Sequence, residues 1–142
     1  MLEAKDIMTK DIIYIKREIP IIEAVKLMAK HDITGIPVVE DDMTLAGILS
    51  EQDVLRLLHT YEDEKDKTVK DFMTQPAIHF EENELLLDVC YCLRDNPIRR
   101  VPVTSNDKLV GVISRSDIIK CILKLCEENT IPSASVTKGT KQ

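Results

Sequence analysis

The chain repeats itself, and the repeat limits its fold more than any other feature. Gly47-Ile48-Leu49-Ser50-Glu51-Gln52-Asp53 returns as Gly111-Val112-Ile113-Ser114-Arg115-Ser116-Asp117. At an offset of 65, Lys5-Asp6-Ile7-Met8-Thr9 falls on Lys70-Asp71-Phe72-Met73-Thr74, Ile13 on Ile78, Ile33 on Ile98, and Pro37-Val38 on Pro102-Val103. One extra residue after Met43 shortens the offset to 64, which sets Leu45, Gly47, Ser50 and Asp53 on Leu109, Gly111, Ser114 and Asp117. Copies of a supersecondary unit that cannot cover its own apolar face are expected to cover each other. Each copy is too short to be comfortably stable alone, so the 142 residues are expected to form one module around one shared core.

Within a copy the periodicity changes in a fixed order. Ala4, Ile7 and Met8 suit a short helix or turn, and the apolar run Ile12 to Ile15 suits a buried strand. From Pro20, Ile21, Ala24, Val25 and Met28 mark one helical stripe that ends near His31-Asp32. Its counterpart is Leu86, Val89, Cys90 and Leu93, ending at Asp95-Asn96-Pro97. Ile36 to Val39 and Leu45 to Leu49 read as two tightly joined strands, as do Val101 to Val103 and Leu109 to Ile113. Pro37 and Pro102 lack an N–H and are expected at a strand start or on an edge. A last helix carries Val54, Leu55 and Leu58, matched by Ile118, Ile119 and Ile122. The expected unit is βαββα, occurring at residues 5–58 and 70–124. The charge-alternating stretch 59–69 reads as a solvated linker or frayed helix end, and 125–142 as a helix end followed by a mobile tail from Asn129.

Several classes of function are disfavoured. A net charge of -6 opposes a phosphate-backbone binder, and two Phe, three Tyr and no Trp provide little for base stacking. No stretch approaches 18 uninterrupted apolar residues, and the charged start at Glu3, Lys5 and Asp6 leaves no room for a signal peptide; a cytoplasmic protein with no membrane association is expected. His31, His59 and His79 show no metal spacing, the four glycines form no phosphate loop, and Cys90, Cys92, Cys121 and Cys126 sit at apolar helical positions as small packing residues. No catalytic set and no metal site is expected.

Ser50-x-x-Asp53 and Ser114-x-x-Asp117 each stand where a strand gives way to a helix. The spacing fits a capping box. It also fits a helix start offered to an anion, with a carboxylate able to hold a ribose diol. The duplicated order, with h-P-V ahead of G-h-h-S-x-x-D and behind Met8-Thr9 or Met73-Thr74, resembles a pair of CBS domains over residues 5 to about 124.

That resemblance implies an α+β fold in which two repeats pack with pseudo-two-fold symmetry and leave two clefts for adenosine-containing ligands. One cleft would join Ser50 and Asp53 to Ala77, Ile78, Arg99, Arg100 and Pro102. The other would join Ser114 and Asp117 to Ile12, Ile13, Thr34, Gly35 and Pro37. The aspartates would hold ribose, Ala77-Ile78 or Ile12-Ile13 would face adenine, and Arg99-Arg100 would meet phosphate, with Glu51 opposing them. Arg115 would partly make up for the missing arginine pair in the second cleft. A regulatory module that binds AMP, ADP or ATP follows, with no cofactor required, an effector protein as partner, and a homodimer formed through residues such as Leu27, Leu57 and Cys121. The alternative is a ligand-free interaction module in which Ser-x-x-Asp only caps helices.

Overall fold

The structure, a computed structural model, describes residues 1–129; the rest of the expected tail lies outside the described residues. In chain order the elements are α1 (Ala4–Ile7), β1 (Ile15–Lys16), α2 (Ile21–His31), β2 (Gly35–Val39), β3 (Leu45–Ser50), α3 (Glu51–Leu55), α4 (Leu57–Glu64), a 3-10 turn (Val69–Asp71), β4 (Phe80–Glu81), α5 (Leu86–Asp95), β5 (Arg100–Ser105), β6 (Lys108–Ser114) and α6 (Arg115–Glu128). Each repeat folds into its own three-stranded sheet, ordered β1-β2-β3 and β4-β5-β6. In each, the short first strand runs parallel to the middle strand, which pairs antiparallel with the third. A parallel pair needs a crossover, and α2 or α5 supplies it.

The prolines lie in middle strands, contrary to the edge expectation, for a local reason. β1 reaches only Val38 and Val39, and β4 only Val103 and Thr104. Pro37 and Pro102 therefore have a partner strand on one side only, where they face Ile48 and Val112. Ile12 and Ile13 fall outside any strand, half-buried, because the short strand begins only at Ile15.

The single shared core also gives way to a different arrangement. One cluster holds Ile21, Ile36, Val38 and Leu49 of the first repeat together with Val69, Phe72 and Met73, which lead into the second. The other holds Leu86, Val89, Val101 and Ile113 together with Ala4, Ile7 and Met8, which lead into the first. The leading segments are thus exchanged between the repeats. Main-chain bonds repeat the exchange in both directions: Thr74 with Ile48, and Thr9 with Val112, each through both N–H···O contacts at 2.8–3.0 Å.

Glycine at 47 follows directly from this crossing. A Cβ there would lie 2.5 Å from the Thr74 carbonyl oxygen. At Gly111 the obstacle is the flexible Met8 side chain, whose sulfur would be 2.6 Å away. A further reciprocal pair ties the hairpin turns together, Leu45 N–H to the Asp107 carbonyl (2.9 Å) and Leu109 N–H to the Met43 carbonyl (3.0 Å). The offset of 64 between their members is the repeat offset read from the sequence, and the pairing fits the pseudo-two-fold relation that the resemblance implied.

Of the stretch 59–69, expected as a solvated linker or helix end, residues 59–64 continue a helix. α4 runs to Glu64, whose carboxylate accepts from both Nε and Nη2 of Arg56 at 3.0 Å. Arg56 also lies 4.1 Å from the centre of the Phe72 ring and donates to the Asp71 carbonyl at 3.3 Å. It staples the end of one repeat to the lead of the next.

Candidate functional site

The local geometry of Ser-x-x-Asp is a capping box in both copies. The Ser50 N–H and hydroxyl donate to Asp53 Oδ2 at 2.8 and 3.0 Å, and the Asp53 N–H donates back to Ser50 Oγ at 3.4 Å. In the second copy the Ser114 N–H donates to Asp117 Oδ2 at 2.9 Å and the Asp117 N–H donates back to Ser114 Oγ at 3.1 Å. The first amide of each helix is taken as well, Glu51 N–H by the Thr34 carbonyl and Arg115 N–H by the Arg99 carbonyl. Two first-turn amides of each helix are therefore already engaged, and positive charge for an anion must come from side chains.

Two cavities open beside these caps. The first, of about 260 Å³, brings together Ser50, Ala77, Ile78, Arg99 and Arg100, as expected for one cleft, and adds Thr34, Gln52, Thr74 and Pro97. Asp53 and Pro102 do not line it. Pro102 is fully buried, and Asp53 Oδ1 accepts from the Thr74 hydroxyl at 3.0 Å. The second cavity, of about 180 Å³, collects Ile12, Ile13, Gly35, Pro37, Ser114 and Asp117, with Thr9 and Asp11 beside them. Thr34, assigned to it from the sequence, lines the first instead. Gly35 and Arg100 line both.

The threonines were missed, although Met-Thr was read as a mark of the repeat. Each crosses with its exchanged segment to the other repeat's aspartate, Thr74 to Asp53 and Thr9 to Asp117, the latter at a looser 3.4–3.5 Å. Asp117 is thus the less encumbered carboxylate, and it faces its cavity.

Arg115 does not serve the second cavity. Its guanidinium donates to the carbonyls of Leu93, Asn96 and Ile98 at 2.9–3.2 Å. Pro97 stops α5 and leaves the Leu93 and Asn96 carbonyls without helical donors, a deficit that Arg115 satisfies.

Sequence spacing also hid a group formed by His79, Glu81 and Asp107, whose candidate ligand atoms lie within 4.8 Å of one another. Glu81 already accepts from the Thr104 hydroxyl and from the amides of Asn106 and Asp107. These bonds, the Thr104 hydroxyl foremost, hold its carboxyl below the usual range. The arrangement clamps a β-turn whose two central residues, Asn106 and Asp107, have positive φ. Cys90, Cys92 and Cys121 pack partly buried against the second core, as expected; burial pushes the Cys90 and Cys92 thiols up. Cys126 is half-buried outside that cluster.

Residues 4–60 and 69–124 each match the CBS domain family. The chain belongs to that family. A protein of Methanocaldococcus jannaschii, the uncharacterized protein MJ1225, is 33% identical over 118 residues. Those residues are 83% of this chain and 42% of that protein, so the chain spans less than half of its length. Among solved structures, CBSX2 of Arabidopsis thaliana in complex with AMP superposes with a TM-score of 0.78 at 26% identity, covering 88% of this chain and 98% of the other. The CBS domain pair of protein MJ0100, solved with 5′-methylthioadenosine and S-adenosyl-L-methionine, gives 0.72 at 28% identity with the same coverage. Among the described residues no helix is long and apolar enough to cross a membrane.

Proposed function

We propose that this CBS pair is a regulatory module that senses adenosine nucleotides in the two cavities. One observation carries the reading: Arg99 and Arg100 converge with Ala77, Ile78 and Ser50 on one cavity between the repeats. Apolar contact for a base and planar cations for a phosphate stand together there, and a guanidinium pairs with phosphate through two parallel hydrogen bonds. The AMP complex of CBSX2 and the adenosine compounds held by MJ0100 support the same ligand class.

Thermal unfolding against a panel of adenosine, AMP, ADP, ATP and S-adenosylmethionine tests it. A ligand at about 100 times its Kd adds roughly 2.7 kcal/mol to stability. A rise in Tm with a phosphorylated member, much reduced in Arg99→Ala, is the expected result. No rise with any of them, in protein free of bound nucleotide, would overturn the reading.

The ligand-free interaction module is favoured by a different observation, that both capping boxes close without a ligand. It shares with the sensor a further expectation, assembly into a homodimer. Leu55, Leu58 and Tyr61 on one side and Ile119, Ile122 and Leu123 on the other stand exposed on the last helices. These replace Leu57, which lies in the first core, and Leu27 and Cys121, which pack against the first and second cores. A dimer would cover both sets, and an effector protein would read the pair.

A further inference from the structure

The two cavities share one charged wall. Arg100 opens β5 opposite Ser114, and Gly35 opens β2 opposite Ser50. The repeat offset of 65 makes Gly35 and Arg100 equivalent positions, and both residues border both cavities. Where the clefts meet, one repeat therefore contributes a guanidinium and the other a hydrogen atom. Arg100 Nε is buried without a hydrogen-bond partner, and among the described residues the guanidinium forms no ion pair. Protein groups do not commit it to either side.

The remaining charges are unequal. The first cavity adds Arg99 against Glu51; the second adds no further cation and two carboxylates, Asp11 and Asp117. We propose that Arg100 is a single cation shared by the two cavities, so that a phosphorylated adenosine ligand in one cavity disfavours a second in the other. The inference rests on the nucleotide reading above and adds a rule of occupancy to it. A phosphate in the first cavity draws Arg100 toward Arg99 and leaves Asp11 and Asp117 as the charged lining of the second. An unphosphorylated nucleoside makes no demand on Arg100 and enters either cavity independently. Coupling between sites commonly amounts to about 5- to 150-fold in affinity, and sharing one guanidinium falls within that range.

Isothermal titration with adenosine and with AMP tests it on the wild type, Arg100→Gln and Gly35→Arg, with folding checked by thermal unfolding. For the wild type, two adenosines are expected with similar affinity, but one AMP, the second binding at least ~10-fold more weakly. Arg100→Gln lowers the affinity for the first AMP relative to adenosine by roughly tenfold or more, the loss of a charged bidentate contact. A Cβ at Gly35 would meet its nearest neighbours at 3.7 Å, ordinary contact, so a side chain has room to start there. Gly35→Arg supplies the missing second cation and is expected to bring the second AMP close to the first. Two equal AMP sites in the wild type, or an unchanged AMP-to-adenosine ratio in Arg100→Gln, would overturn the sharing while leaving nucleotide sensing intact. So would a folded Gly35→Arg whose second AMP remains weak. Failure of adenosine and AMP alike to bind the wild type would overturn both.

Discussion

Asp53 and Asp117 are the same residue in the same motif, yet their surroundings differ. Asp53 accepts from Ser50 twice and from Thr74, and is turned out of the first cavity wall; Asp117 has a looser threonine and faces the second. Asp53→Ala is therefore expected to act on stability, costing about 1–2 kcal/mol in chemical denaturation through the lost cap, with a smaller effect on ligand affinity. Asp117→Asn is expected to weaken adenosine in the second cavity, read by titration, with a smaller change in unfolding midpoint. A reversed ranking would show that the carboxylates have been given the wrong tasks. Both capping boxes were legible from spacing. The threonines were not, because Thr74 is 21 residues from Asp53 and Thr9 is 108 residues from Asp117. Nor was the task of Arg115, decided by carbonyls at the end of a helix that local spacing does not bring near.

The elements were legible where periodicity was strong and misjudged where packing depends on the partner copy. The α2 and α5 stripes face inward at Ile21, Ala24, Met28, Leu86, Val89 and Leu93. In the last helices, by contrast, Leu55, Leu58, Ile119 and Ile122 point outward, while Val54, Leu57, Ile118 and Cys121 face the cores. Exchange of the leading segments gives the two motif glycines unequal burdens. Gly47→Ala sets a methyl group against main chain and is expected to cost roughly 1–3 kcal/mol, the usual range for overpacking. Gly111→Ala meets only a movable methionine and is expected to cost less, a comparison that urea unfolding of the two variants decides. The α4 staple gives a pH signature. The Arg56 guanidinium, with help from the Thr60 hydroxyl, lowers Glu64 from its ordinary 4.5 to about 2. A depressed carboxyl stabilises the fold above its unfolded pKa and loses that contribution as pH falls through its folded one. Glu64→Gln should thus be less stable than wild type at pH 7, and the gap should narrow between pH 4.5 and 2. A gap independent of pH in thermal scans would remove the ion pair from the account.

For the whole molecule, the unresolved balance is between the exposed helical faces and solvent. Leu58 is 95% exposed and Leu55 67%, with Ile119 at 66% on the other helix. These exposed apolar side chains are the surface that the proposed dimer would cover. Light scattering is expected to give the mass of a dimer for the wild type and of a monomer for Leu58→Glu combined with Ile122→Glu. A wild-type monomer at tens of micromolar would leave those faces to another partner. Assembly and sensing are linked in this reading, since a ligand that changes the packing of the repeats alters the faces their last helices present.

The sequence alone determined the duplication, the order of elements in each copy, the caps at Ser50 and Ser114, and about half of the residues that border the two cavities. These depend on local periodicity and on equivalence between copies, which a single chain displays to itself. Only the tertiary structure decided that the leading segments cross between repeats, that each repeat keeps its own core, that Asp53 turns from its cavity, and that Gly35 and Arg100 each border both cavities. Those outcomes depend on which surface of one copy covers the other. A repeat specifies the surfaces twice but not the operation that joins them.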